Sequence, residues 1–133
     1  MDFTQDYSFM SRRRSNFKMG TVEMLVLYLL NRQELYGYQI TSLLEKLSGG
    51  KVIVTESTLY PTLYKLLNKH YISDREVPIG KRRLRVYYHI EDAGRQRLSD
   101  LLEDYNEITI GIAQILNSDI KPEESEDNKS DES

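Results

Sequence analysis

This 133-residue sequence predicts a mainly α fold with a small β-hairpin and a long final helix. Three patterns carry that expectation. In TESTLYPTLYKLLNKHY (55–71), Leu59, Leu63, Leu66 and Leu67 recur at the spacing of one buried helical stripe. Leu84, Val86, Tyr88 and Ile90 alternate with Arg85, Tyr87 and His89, the period of a half-buried strand. Leu98, Leu101, Tyr105, Ile108, Ile112 and Ile115 then step by three and four, the a/d seam of a heptad helix.

A chain of this length holds one domain plus tails. It has no Cys, which excludes disulfides and thiolate metal sites and fits a reducing compartment. The first apolar run, roughly 22–30, follows Arg12, Arg13, Arg14 and Lys18, lacks a small-residue cleavage site and is too short to span a bilayer. The expectation is a soluble, cytoplasmic protein. Net charge is −3, unevenly spread. Residues 1–89 hold 14 Lys and Arg against 8 Asp and Glu, whereas residues 90–133 hold 4 against 13. The basic front half keeps nucleic acid open as a partner, because clustered sign matters more than the total.

Residues 1–17 read as a basic arm: MSRRRSNFK (10–18) joins four cations to Phe9 and Phe17, with no helical or strand period. Such an arm touches phosphate or minor groove, packs on a partner, or is simply solvated. Gly20–Asn31 reads as the first helix, with Thr21 as cap, and is apolar nearly all round. One small core cannot easily cover such a helix, so a partner subunit is expected to cover part. After a turn at Asn31–Leu35, Ile40, Leu43, Leu44 and Leu47 give a second amphipathic helix, closed by Gly49–Gly50. Gly37 near its start leaves room for a close approach of backbone, either to a neighbouring helix or to phosphate. KVIVT (51–55) links it to the third helix, for which Thr55, Ser57 and Thr58 are candidate caps. Pro61 costs little if the cap is Thr58. The third helix presents Ser57, Thr58, Pro61, Tyr64, Lys65 and Asn68 opposite its leucines, with Tyr60 at the margin.

Two helices joined by a tight connection, then a hairpin, make a winged helix-turn-helix over residues 18–90. The hairpin tip is Gly80-Lys81-Arg82-Arg83, after an interruption at VPIG (77–80). Three adjacent cations repel one another and serve no core, but a phosphate backbone would use them. Residues 91–117 form the long helix, whose seam predicts dimerisation rather than folding back on its own domain. Residues 118–133, acidic and without aromatics, read as a disordered tail.

With these residues placed, the chain resembles the PadR family of bacterial transcriptional regulators. The resemblance rests on Tyr36-Gly37-Tyr38 with Ile40, on Thr58-Leu59-Tyr60-Pro61-Thr62-Leu63 with Leu66, and on Tyr71-Ile72. Arg83, Arg85, Tyr87 and Tyr88 ahead of Ala93-Gly94 complete it. Glu91 departs from the usual Thr, which bears only on the cap of the last helix. The single C-terminal helix is similar to the family's shorter subgroup. The resemblance implies a homodimeric winged-helix repressor that binds inverted-repeat operators. It also implies release by a small phenolic, hydrophobic or flat cationic effector near the dimer interface.

On that reading the third helix enters the major groove. Ser57, Thr58, Tyr60, Tyr64 and Lys65 are its candidate DNA contacts, and Tyr60 could equally be half core. Tyr38 and Gln39 brace the backbone, and Lys81, Arg82 and Arg83 follow flanking phosphates or minor groove. Leu98, Leu101, Tyr105, Ile108, Ile112 and Ile115 are the expected dimer interface. Met24, Tyr28, Tyr105 and Ile108 are candidate effector residues, although such residues at helical spacing commonly serve as ordinary core. No cofactor or metal is expected. Catalysis is disfavoured: His70 and His89 lack Cys or paired carboxylates at ligand spacing, and no phosphate-cradling Gly loop occurs. The competing reading is a winged helix that docks protein instead of DNA, which would have no use for three adjacent cations at the tip.

Overall fold

The computed structural model describes residues 20–120, so the basic arm and the tail from residue 121 lie outside the described residues. Residues 20–30 are helical (α1). They are followed by β1 (Leu35–Tyr36), α2 (Gly37–Leu47), α3 (Glu56–Asn68), β2 (Ile72–Pro78), β3 (Leu84–Ile90) and α4 (Asp92–Leu116). The strands form one antiparallel sheet in the order β1-β3-β2. Helix-turn-helix plus hairpin is the winged-helix architecture, and the mainly α expectation holds.

Thr21 lies inside α1 rather than capping it. The apolar circumference of α1 is buried by the chain itself. Val22, Met24, Val26, Leu27, Leu29 and Leu30 join one cluster with Leu35, Ile40, Leu44, Leu59, Leu63, Leu66, Ile72, Tyr88, Ile90 and Leu98. Only Leu25 and Tyr28 of its apolar residues remain partly or openly exposed. Cover by a second subunit, expected for part of this helix, is left only the Leu25 and Tyr28 side, because two helices, the sheet and the start of α4 contribute to one cluster.

Strand β1 is the element that the sequence pattern does not announce. Where the expected turn at Asn31–Leu35 gives way to the second helix, two residues are paired, Leu35 opposite Tyr88 and Tyr36 opposite Tyr87. Paired residues share a face, so Leu35 enters the core while Tyr36 stands on the outer side. Helix α2 follows without a gap; the Gln39 side chain accepts the Tyr36 backbone N–H at 3.1 Å, capping it. Gly49 and Gly50 end it with φ of +64° and +81°. Leu47, expected on the apolar stripe, is 70% exposed because the helix ends there.

The N-cap of α3 is Thr55, whose carbonyl accepts Thr58 N–H at 3.1 Å and Leu59 N–H at 2.9 Å. Pro61 is consequently not in the first turn but inside the helix, where it removes the N–H that would bond the Ser57 carbonyl. The helix ends on His70, φ +61°, with Tyr71 N–H returning to the Leu66 carbonyl at 3.0 Å, a Schellman-type closure without glycine.

The chain divides by its internal contacts after Leu102 into two units, residues through Leu102 and residues from Glu103. This division falls within α4, past the end of the expected winged-helix segment 18–90. Gly94 and Leu98 are buried in the first unit, and the Glu91 N–H reaches the Tyr71 carbonyl at 2.9 Å. Gly94 lies so close to that carbonyl that a Cβ would overlap its oxygen. Glu91 precedes the first helical residue and accepts the Ser73 hydroxyl at 2.6 Å. No helix among the described residues is long and apolar enough to cross a membrane.

Candidate nucleic-acid interface

The outward face of α3 is as polar as its spacing predicts. Its N-terminus gathers hydroxyls, with Thr55 Oγ1 2.9 Å from Ser57 Oγ and donating to Thr58 Oγ1 at 3.4 Å. A cleft of about 660 Å³ separates this end from α2 and is lined by Tyr38, Thr41, Thr55 and the carboxylates Glu45 and Glu56, among others. Tyr38 is exposed, and Thr41 Oγ1 donates to its carbonyl at 3.1 Å. Gln39, expected to brace a duplex, has its side-chain carbonyl committed to the α2 cap and is only half-exposed.

Tyr60 and Tyr64 are 41% and 68% exposed. The Tyr60 phenol lies against Gly37, where a Cβ would stand 2.6 Å from the hydroxyl oxygen. The close approach that Gly37 allows is therefore by a side chain, not by a backbone. Tyr60 is thus neither core nor free: its phenol end lies on Gly37 of α2 while much of the side chain meets solvent. Burial first, then the charges of Tyr60, Asp74 and Tyr64, pushes the Tyr88 phenol above its ordinary value. The tyrosines of α3 therefore adjoin the helix-facing side of the wing.

Lys65 is 54% exposed, yet its ammonium donates to Glu23 Oε1 at 3.4 Å. Glu23 also accepts Arg97 Nε at 3.1 Å on Oε2 and Nη2 at 3.4 Å on Oε1. Its carboxylate is 3% exposed, and desolvating an unpaired charge costs several kcal/mol, so two cations converge on it. The Arg97 guanidinium, hydrogen-bonded to Glu23, is held above its ordinary range and lies 5.9 Å from the Tyr71 ring centre. Residue spacing alone does not reveal this triad. Its one sequence trace is Glu23 standing as the sole charge in the apolar run 19–31.

The wing tip turns through Gly80, φ +78°, and closes with Ile79 N–H to the Arg83 carbonyl at 2.9 Å. Lys81, Arg82 and Arg83 are all exposed. Among the described residues none of the three is in an ion pair, in contrast to Lys65, Arg75, Arg95 and Arg97. The outer face of the sheet carries a ladder that was not foreseen. The Arg85 guanidinium sits 4.1 Å from the Tyr36 ring centre, Tyr36 meets Tyr87 edge-on at 5.4 Å, and Arg75 covers Tyr87 at 5.3 Å. Arg75 in turn grips Glu34 with bonds of 2.8 and 3.4 Å, which lowers the Glu34 carboxyl below its ordinary value. Alternation of Arg and Tyr along β3 was the available signal, but only the β1 pairing brings Tyr36 onto it.

Of the expected interface residues on α4, Leu98 is 5% exposed and belongs to the chain's own core, and Leu101 packs against it. Leu98 is thus enclosed by its own chain, which leaves it little surface for a partner, while Leu101 stays partly exposed. In the second unit Tyr105, Ile108, Ile112 and Ile115 are exposed, as are Ile110 and Leu116. Met24 is likewise core, whereas Tyr28 borders an open groove of about 530 Å³ with Leu29, Leu43 and Leu47. No group of three or more His, Cys, Asp and Glu side chains among the described residues is arranged to hold a metal.

Comparison with known proteins fits this geometry. Residues 26–100 match the model of the transcriptional regulator PadR-like family. The negative transcriptional regulator PadR of Bacillus subtilis is 33% identical over 84 residues, 63% of this chain and 46% of that protein, so this chain spans about half its relative's length. The crystal structure of B. subtilis PadR in complex with operator DNA superposes with a TM-score of 0.57 at 34% identity, over 60% of this chain and 45% of that one. A transcriptional regulator from Clostridium thermocellum shares the fold with a TM-score of 0.67 at 24% identity, over 74% and 95% of the two chains. The match covers the helix-turn-helix, the wing and the start of α4, and on it the chain belongs to the PadR-like family of transcriptional regulators.

Proposed function

We propose that the protein is a homodimeric, sequence-specific DNA-binding regulator in the cytoplasm, a repressor released from its operator by a small hydrophobic or aromatic effector. The observation that carries the reading is the wing tip, where Lys81, Arg82 and Arg83 stand exposed and free of ion pairs among the described residues. Phosphate is the partner that uses three adjacent cations without burying them. The B. subtilis relative solved on operator DNA supports the same use of this fold.

In this account α3 lies in the major groove. Ser57 and Thr58 donate to phosphate, while Tyr60, Tyr64 and Lys65 reach groove edges and backbone. Tyr38 braces the neighbouring phosphate, and the wing follows the flank. Two copies pair through Tyr105, Ile108, Ile112 and Ile115, whose exposed apolar surface calls for cover. The twofold then sets two recognition helices about 34 Å or a multiple apart. The groove beside Tyr28 is where an effector would enter, and Met24, enclosed in the core, takes no part.

Selecting bound fragments from the source genome and footprinting them tests the reading: paired, symmetric half-sites are expected. A protein that ignores both heparin and duplex DNA at low salt overturns it and favours a winged helix that docks protein. Light scattering that returns a monomer removes the dimer.

A further inference from the structure

The geometry points to Glu23 as a positioning residue for DNA binding, one that sets how far the Lys65 charge reaches towards a duplex, under the control of Arg97. The inference rests on the DNA-binding reading above.

Three helices meet at this carboxylate: Glu23 from α1, Lys65 from α3 and Arg97 from α4. An apolar side chain in the same place would avoid the cost of burying a charge, so the ion is not needed for packing. Its two partners are unequal. Arg97 approaches in a fork, at 3.1 and 3.4 Å, while Lys65 makes a single contact at 3.4 Å and keeps half its surface in solvent. A planar fork matches a carboxylate better than an ammonium does, so Arg97 takes the larger share of the Glu23 charge. Lys65 is thereby tethered but not neutralised, next to Tyr64 on the face presented outward.

Opposite consequences follow from removing the two ends. Without Arg97 the whole Glu23 charge falls on Lys65, drawing the ammonium inward and weakening its phosphate contact. Without the Glu23 charge Lys65 is untethered and the local potential rises. A change at Arg97 thus alters the recognition helix without touching DNA.

Fluorescence anisotropy with a labelled random-sequence duplex at low salt tests this. Arg97→Gln should weaken binding by about threefold to tenfold and flatten the salt slope by about one, the share of one cation. Glu23→Gln should tighten binding or leave it unchanged. In a Lys65→Met background both effects should vanish. Arg97→Lys, which keeps the charge but loses the fork, should show a smaller loss of the same sign and serves if Arg97→Gln fails to fold. Losses in both Glu23 and Arg97 variants, or an Arg97 effect that persists without Lys65, overturn the inference in favour of plain structural support. A wild-type protein that does not bind the duplex defeats the DNA reading itself. Binding by wild type with variants indistinguishable from it defeats only this inference.

Discussion

The phenol of Tyr60 rests on the α-carbon of Gly37, joining α3 to the first residue of α2. Gly37→Ala would place a methyl group 2.6 Å from the hydroxyl oxygen, so the ring must swing away. The obstacle is the far end of a part-exposed side chain, and Ala in a helix gains up to about 1 kcal/mol over Gly. Stability should therefore change by less than about 1 kcal/mol, while DNA affinity falls because Tyr60 is misplaced. Urea unfolding and anisotropy together check this, and the affinity loss should disappear in a Tyr60→Ala background.

Gly94 presents the opposite case. A methyl there meets the Tyr71 carbonyl and stands 2.9 Å from Ile90 Cγ1, backbone and core that cannot turn aside. Overpacking of this kind costs about 1–3 kcal/mol, more than the helix propensity returns. Gly94→Ala should lower the urea midpoint without altering its slope.

His70 closes α3 at φ +61°, a conformation that costs a side-chain-bearing residue about 1–2 kcal/mol. His70→Gly should raise stability by up to about 1 kcal/mol, less the extra freedom it gives the unfolded chain. His70→Val should lower it by about 1 kcal/mol or more, because branching at Cβ worsens the clash. Thermal melts of the two variants should move in opposite directions.

Replacing Lys81, Arg82 and Arg83 together by Ala should weaken DNA binding across sequences and flatten the salt slope by up to about three units. Exposed and free of ion pairs among the described residues, they should leave the melting temperature unchanged. An unaltered slope would take the wing out of the interface.

Acid should loosen the outer face of the sheet. The Arg75 hydrogen bond lowers the folded Glu34 carboxyl below its unfolded value, so the stability it confers is present above the ordinary carboxylate range, about 4.3, and lost as pH falls through the lower folded value. Glu34→Gln should remove that part of the acid dependence in melts recorded across the interval. Both groups are exposed, so the effect is small.

Periodicity made the four helices and the hairpin legible, because each buries one face of a small core. It failed where two residues sufficed. Leu35–Tyr36 is too short to alternate, and only its partners on β3 reveal it as a strand. Heptad spacing recognised that Leu98 and Leu101 face apolar surroundings but could not say whose, and the domain claims them itself. Spacing could not choose among Thr55, Ser57 and Thr58 as the cap of α3, because the run offers several hydroxyls of similar capping strength; the helix starts from Thr55. Among the candidate site residues, the exposure of the tip cations and helix-face tyrosines was legible from type and position. The Glu23 triad was not: its partners lie 42 and 74 residues away, beyond any local pattern.

Because β1 passes into α2 with no intervening residue, the outer sheet and the start of the helix-turn-helix are welded end to end. On the proposed DNA-binding reading, the protein yields little at that joint, and a duplex is expected to supply the bending. Stiff or wrongly curved sequences should then bind more weakly at bases that no side chain touches.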